Sequence, residues 1–261
     1  VSRLASVFST CRAESRAALI GYLPAGFPSV EGSKDVLKTM VSAGCDLVEV
    51  GLPFSDPVLD GVTIQRAAEQ ALRGGFRVRD LFGVVESVVA AGGRAVVMTY
   101  WNPVLAYGVD RFARDLAAAG GLGVITPDLV PDEGAAWIEA TDAHDLDRIF
   151  LVAPSSSGER IDLAAKSSRG FLYATSVMGV TGARDVVSSA APALVKRVRE
   201  HTDMPIGVGL GVRNGAQAAE LAAFADGVIV GSAFVSAVQD DTVAALTEDL
   251  ATGVRQVPTP A

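Results

Sequence analysis

Residues 46–65 read DLVEVGLPFSDPVLDGVTIQ. The run 47–50 is apolar apart from Glu49. A loop of Gly, Pro, Ser and Asp follows, bearing Asp56 and Asp60, and a helical pattern opens at Thr63. A four-residue β-forming run bounded by turn residues reads as a buried strand. Side chains alternate along a strand, so Leu47 and Glu49 share one face and Val48 and Val50 the other. A carboxylate on a strand covered on both faces is costly unless it is paired or stays neutral. Two readings follow. Glu49 is either a strand-end side chain reaching solvent or an ion pair, or a proton-transfer group with Asp60 on the facing loop as second carboxylate.

Outward from this stretch, one alternation recurs: a short β-branched run, a loop, an Ala-rich amphipathic segment. Strands are expected at 18–23, 47–50, 95–100, 123–126, 148–152, 171–175, 205–208 and 227–230. Helices are expected at 30–43, 64–73, 78–91, 109–119, 132–141, 161–168, 190–201 and 215–223, with one more in the region 235–250. Such alternation implies parallel pairing through right-handed crossovers. Eight units in 261 residues match an α/β fold of the (β/α)8 TIM-barrel type with short extra helices. An open doubly wound sheet is the competitor, but its glycine-rich binding loop should follow the first strand. Here GVTG, GVGLG and VGSAF follow the last three strands. No linker, low-complexity tract or charge block divides the chain. One domain is expected over residues 1–261, with 252–261 as a frayed tail.

Hydrophobic residues make up 49% of the chain and charged residues 20%, enough for a full core. A net charge of −8 argues against nucleic acid or an anionic membrane surface as the main partner. An anionic small molecule stays open, because local geometry overrides global charge. No apolar run reaches membrane-spanning length, and the N-terminal segment has no signal-peptide core. Cys11 and Cys45 fit no metal or redox spacing and read as reduced thiols. A cytoplasmic protein is expected.

A barrel places its active site at the C-terminal ends of its strands. Glu49 lies near the end of strand two, Tyr100 and Asn102 close strand three, Asp128 follows strand four, and Tyr173 lies on strand six. All open toward one mouth. The late glycine loops are either tight turns needing positive φ or a phosphate cradle of backbone amides and a helix start. Three such loops converging on one rim favour phosphate. His144 and His201 have no partner at ligand spacing and read as surface residues, so no metal site is visible. Trp101 and Trp137 read as packing residues. Arg184, beside GVTG, either touches a ligand or is a solvated loop charge. The sequence holds no nucleophile elbow, Walker loop or dinucleotide fingerprint.

Glu49 with LPFSDPVLDG, then TIQRA, YWNPV, PDLVPDE, GVTGAR, GVGLGV and VIVGSAFV, together resemble the α subunit of tryptophan synthase. The resemblance runs from about Leu19 to Val235, and the order and spacing of the motifs make it specific. It implies a lyase that cleaves indole-3-glycerol phosphate to indole and glyceraldehyde 3-phosphate by a retro-aldol route, in L-tryptophan biosynthesis. It implies no metal and no organic cofactor in this chain, since pyridoxal phosphate (PLP) belongs to a partner β subunit in an α2β2 assembly.

By that resemblance Glu49 protonates and deprotonates substrate in turn, Asp60 stabilises the indole N–H, and Tyr173 assists. The phosphate rests on Gly182, Gly211, Gly231 and Ser232. Tyr22, Met98, Tyr100, Ile125 and Leu151 line the indole pocket. Loops 54–61 and 179–187 close over substrate, and Asp56, Asn102, Asp128 and Thr181 belong to the loops that couple to the β subunit. Val62 and Val130 stand where the family usually has proline, Pro24 where threonine is common, and AGFP with Phe27 replaces AGDP. None of these removes a catalytic group. A stand-alone lyase releasing free indole, and a catalytically weak activator of a β subunit, remain as alternatives.

Overall fold

The computed structural model describes residues 2–175, 190–209 and 211–256. The strands are β1 (Ala18–Pro24), β2 (Leu47–Gly51), β3 (Ala95–Met98), β4 (Gly123–Ile125), β5 (Asp147–Ile149), β6 (Leu151–Val152), β7 (Leu172–Thr175), β8 (Ile206–Gly209) and β9 (Gly227–Val230). All pair in parallel, in the order β5-β4-β3-β2-β1-β9-β8-β7-β6. The two ends of that order are separated in sequence by Phe150 alone, so the sheet curls into a nearly closed barrel. The fifth expected strand is thus split in two. The Phe150 N–H turns to the Ser168 hydroxyl (3.2 Å), so the residue leaves the ladder there.

Alternation along the strands sorts the apolar residues into two layers. Ala18, Ile20, Leu47, Val96, Ile125, Ile149, Phe171 and Ile229 form the barrel interior. Leu19, Leu23, Val48, Val50, Val97, Val124 and Val208 face outward, against a helical shell that supplies Leu37, Met40, Val84, Leu116 and Trp137. That shell comprises α2 (Val30–Ala43), α3 (Val62–Arg73), α4 (Val78–Ala90), α6 (Val109–Ala118), α7 (Ala135–Ala143), α8 (Gly158–Ser167), α9 (Ala190–Arg199), α10 (Gly215–Ala222), α11 (Ser232–Gln239) and α12 (Val243–Arg255).

Two helices fall outside the sequence expectation. The first, α1 (Ala5–Ala13), closes the N-terminal end of the barrel: Leu4, Val7, Phe8 and Cys11 join the interior cluster, and Phe8 meets Phe171 at 5.3 Å. Buried Asp147 anchors it, accepting from the Ser2 hydroxyl (2.6 Å) and the Leu4 N–H (3.0 Å). The second, α5 (Trp101–Tyr107), forms although Pro103 lies within it. Its first turn has no carbonyls to bond, so a proline there loses nothing.

Two further expectations need correction. The single helix at 235–250 is two helices, α11 and α12, parted at Asp241, whose φ of +54° ends one before the other begins. The frayed tail does not start at 252, since α12 runs to Arg255. Val254 is buried there, and an added Cβ at Gly253 would lie only 2.1 Å from the Gly215 carbonyl of α10. Both cysteines are buried and free.

Candidate active site

Glu49 stands on the interior face of β2, level with Tyr22 of β1 on one side and Val96 of β3 on the other. It is 1% exposed, and neither carboxylate oxygen has a hydrogen-bond partner among the described residues. Burial alone pushes its pKa up to about 8. At neutral pH the carboxyl is therefore held largely as the acid, because an ion there would lose its hydration without compensation. A strand-end residue reaching solvent or an ion pair is thereby set aside.

Two phenols flank this carboxyl, each seated over a glycine. The Tyr22 hydroxyl lies where a Cβ on Gly51 would sit, 2.4 Å from that position. The Tyr173 hydroxyl lies 2.3 Å from the corresponding point of Gly209. A side chain at either glycine would push the phenol away, so these glycines serve close approach. Burial raises both phenol pKa values well above the usual range. Tyr22 adds the charges of Asp60 and then Glu49, Tyr173 those of Glu49 and then Asp60. Both phenols thus stay protonated donors beside two carboxyl groups.

Asp60 closes the loop after β2, one residue before the Gly61 cap of α3. The Gln65 side chain donates to its carbonyl (2.8 Å), fixing the backbone. Burial raises the Asp60 pKa, and a hydrogen bond with Tyr100 opposes that rise. Tyr22, Asp60, Met98 and Tyr100 line one cavity with Leu52, Thr99 and Pro127. The last three were not singled out in the sequence, although each lies within two residues of a strand's C-terminal end. Met98, Leu151 and Tyr173 pack on the interior cluster that contains Ile125.

The rim carries the glycines. Gly211 has φ +64°, which a side chain would strain. Gly231 precedes α11, whose first residue is Ser232 and whose N-terminus has no side-chain cap. Uncapped amides directly after β9 are free to meet oxygens of an anion. Thr181, Gly182, Arg184 and the loop 179–187 lie outside the described residues. Asp128 accepts the Trp101 N–H through both oxygens (2.9 and 3.1 Å), securing the start of α5. Asn102 is exposed on that helix. Asp56 is also exposed, and its carboxylate accepts from Ser55 (2.5 Å). All three are exposed, and none lines the cavity. Among the described residues no group of three or more His, Cys, Asp or Glu could hold a metal. His144 meets Asp110 (2.8 Å) and His201 meets Asp162 (2.9 Å). Trp137 is fully buried, edge-on to Trp101 at 5.7 Å.

Fold and site together define a (β/α)8-barrel enzyme with a neutral, buried carboxyl group and a second carboxylate at the mouth. The model of the tryptophan synthase alpha chain family matches residues 8–257, and the chain belongs to that family. It is 68% identical over 256 residues to the tryptophan synthase alpha chain of Nocardia farcinica, covering 97% of this chain and 96% of that protein. It is 64% identical to that of Mycobacterium avium, covering 98% and 95%. A solved structure of Mycobacterium tuberculosis tryptophan synthase superposes with a TM-score of 0.95 at 62% identity, covering 98% of this chain and 99% of that one. No helix among the described residues is long and apolar enough to cross a membrane.

Proposed function

We propose that Glu49, Asp60 and Tyr173 carry the cleavage of indole-3-glycerol phosphate to indole and glyceraldehyde 3-phosphate, the lyase reaction of the tryptophan synthase alpha chain. The observation that supports this most is the unpartnered, buried Glu49, held as an acid to about pH 8. A general acid works best with a pKa near the working pH. The Glu49 carboxyl gives its proton to indole C3, and positive charge develops on the ring nitrogen. Asp60, ionised, accepts a hydrogen bond from that N–H and stabilises the charge. Glu49, now a carboxylate, takes the proton of the glycerol hydroxyl next to the scissile bond. The carbon–carbon bond breaks, its electrons restore the indole ring, and the hydroxyl carbon becomes the aldehyde. Tyr173, a protonated donor beside Glu49, assists by hydrogen-bonding the substrate.

Met98, Ile125 and Leu151 supply an apolar wall for indole, with Tyr22 and Tyr100 at its rim. The amides of Gly182, Gly211, Gly231 and Ser232 hold the phosphate, and the acidic net charge is no obstacle to that backbone site. Proton transfers between Glu49 and the substrate suffice for this step. The chain needs no cofactor of its own, and the pyridoxal phosphate of the whole enzyme belongs to the β subunit. The working site is cytoplasmic.

The chain works as the α subunit of a complex with β. Four large apolar side chains are exposed among the described residues: Val58 (67%), Val62 (58%), Leu105 (52%) and Val130 (39%). All lie on the segments around the mouth: the 52–61 loop, the start of α3, α5 and the turn after β4. Asp56, Asn102 and Asp128 share these segments, and Thr181 belongs to the other active-site loop. A β subunit docked there rests on the loop that carries Asp60. Val62 and Val130, exposed there, present apolar surface that a partner can cover. The test is indole release by the purified chain, alone and with β subunit. Slow release that rises about tenfold or more, about 1.4 kcal/mol of barrier, fits the α-subunit reading. Fast release unaffected by β would make it a stand-alone lyase, and no release in either case would leave only an activator.

A further inference from the structure

Tyr100 was expected only as a wall of the indole pocket, yet its hydroxyl is engaged elsewhere. It accepts the N–H of Leu59 at 3.0 Å and hydrogen-bonds the carboxylate of Asp60, the next residue. Its ring lies 5.3 Å from that of Phe54, at the other end of the same loop. Tyr100 is itself the cap residue of α5, and the first N–H of that helix is held by Asp128. One side chain thus ties loop 52–61, at both ends, to a helix pinned by a second strand's loop. At the start of the loop the Leu52 N–H meets the Met98 carbonyl (2.9 Å), while the Ser55 hydroxyl bonds Asp56 and the Gln65 side chain bonds the Asp60 carbonyl nearby in sequence.

We propose that Tyr100 is a positioning residue that fixes the Asp60 carboxylate for its work on the indole N–H. This rests on the reading of Asp60 given above. A half-buried carboxylate at a loop end would otherwise swing toward water or take up a proton. The Tyr100 hydroxyl donates one hydrogen bond to it and accepts another from the Leu59 backbone, so the phenol is itself oriented from both sides. Its effect opposes the rise that burial imposes on Asp60, so it favours the ionised form. Exposed Leu105 lies on the same short helix, so a partner seated on α5 bears on Asp60 through this phenol.

Tyr100→Phe keeps the ring and removes the hydroxyl. Cleavage is measured from pH 5 to 9 with β subunit present, and the Asp60 carboxyl is titrated by carbon-13 NMR in the full chain. The expected result is a roughly tenfold fall in kcat with KM within about twofold. The Asp60 midpoint and the acid limb of kcat should both move to higher pH. An unchanged Asp60 midpoint, or a loss carried by KM alone, would return Tyr100 to the role of pocket wall. Asp60→Asn serves as the separate control. Full activity in that variant would remove the reading of Asp60 itself, a failure that the Tyr100→Phe titration does not produce.

Discussion

Glu49 stands level with Tyr22 on the neighbouring strand, yet neither carboxylate oxygen takes a hydrogen bond from that phenol or from any other described group. A carboxyl group so placed is stable only with its proton on. Folding raises the Glu49 pKa from an ordinary 4.5 to about 8, so the folded chain holds a proton that the unfolded chain has released between those values. The stability linked to this proton is fully present below pH 4.5 and is lost as pH rises through 8. Glu49→Gln keeps the shape and removes the titration. The variant should gain on the order of 3 kcal/mol over the native chain at pH 7 to 8, from about 1.4 kcal/mol per pKa unit, and nothing near pH 4. Urea midpoints at the two pH values check this, and a gain independent of pH would contradict it.

Gly209 makes room for the Tyr173 hydroxyl, and an added methyl would lie 2.3 Å from that oxygen. Gly209→Ala should cost about 1–3 kcal/mol by overpacking and lower kcat by displacing the phenol. Tyr173→Phe on top of it removes the clashing oxygen. The double variant should recover thermal stability but not activity, a split that calorimetry and an indole assay read directly.

Sequence alone placed both of these groups on strands of the barrel. A lone Glu in a β-branched run, and glycines after the last three strands, are local signals that survive without any contact information. That Glu49 finds no partner is not local, because the surroundings of a barrel-interior side chain are set by the other strands. The same holds for Tyr100, whose hydroxyl meets a loop some forty positions away. Helix α1 was missed since its role, closing the barrel floor against Phe171, is tertiary. Helix α5 was missed because Pro103 reads as a breaker unless its place in the first turn is known. The tail boundary failed for a related reason: Gly253 looks like a chain end but is a close contact with α10.

Leu105 and Val130 are exposed apolar side chains on the outer rim, clear of the cavity lining. Leu105→Asp and Val130→Asp should leave cleavage by the isolated chain within about twofold, since surface changes of this kind are near neutral. Stimulation by β subunit should fall at least tenfold. Titration of indole release against β subunit concentration separates the two effects.

Gly211 sits at φ +64° on the rim after β8. Gly211→Ala strains that turn by about 1 kcal/mol and, with this amide holding the phosphate as proposed, should displace it. KM for indole-3-glycerol phosphate should rise several-fold, while inhibition by free indole stays as it was. Equal weakening of both would place the loop against the ring instead.

The most direct test of the account is cleavage of indole-3-glycerol phosphate by Glu49→Gln, with β subunit present and folding verified. The account predicts a fall in kcat of about a thousandfold, in line with the loss of a general acid and base. Turnover within tenfold of the native chain would contradict it, and would mean that the buried carboxyl at the centre of the barrel is not the group that moves the proton.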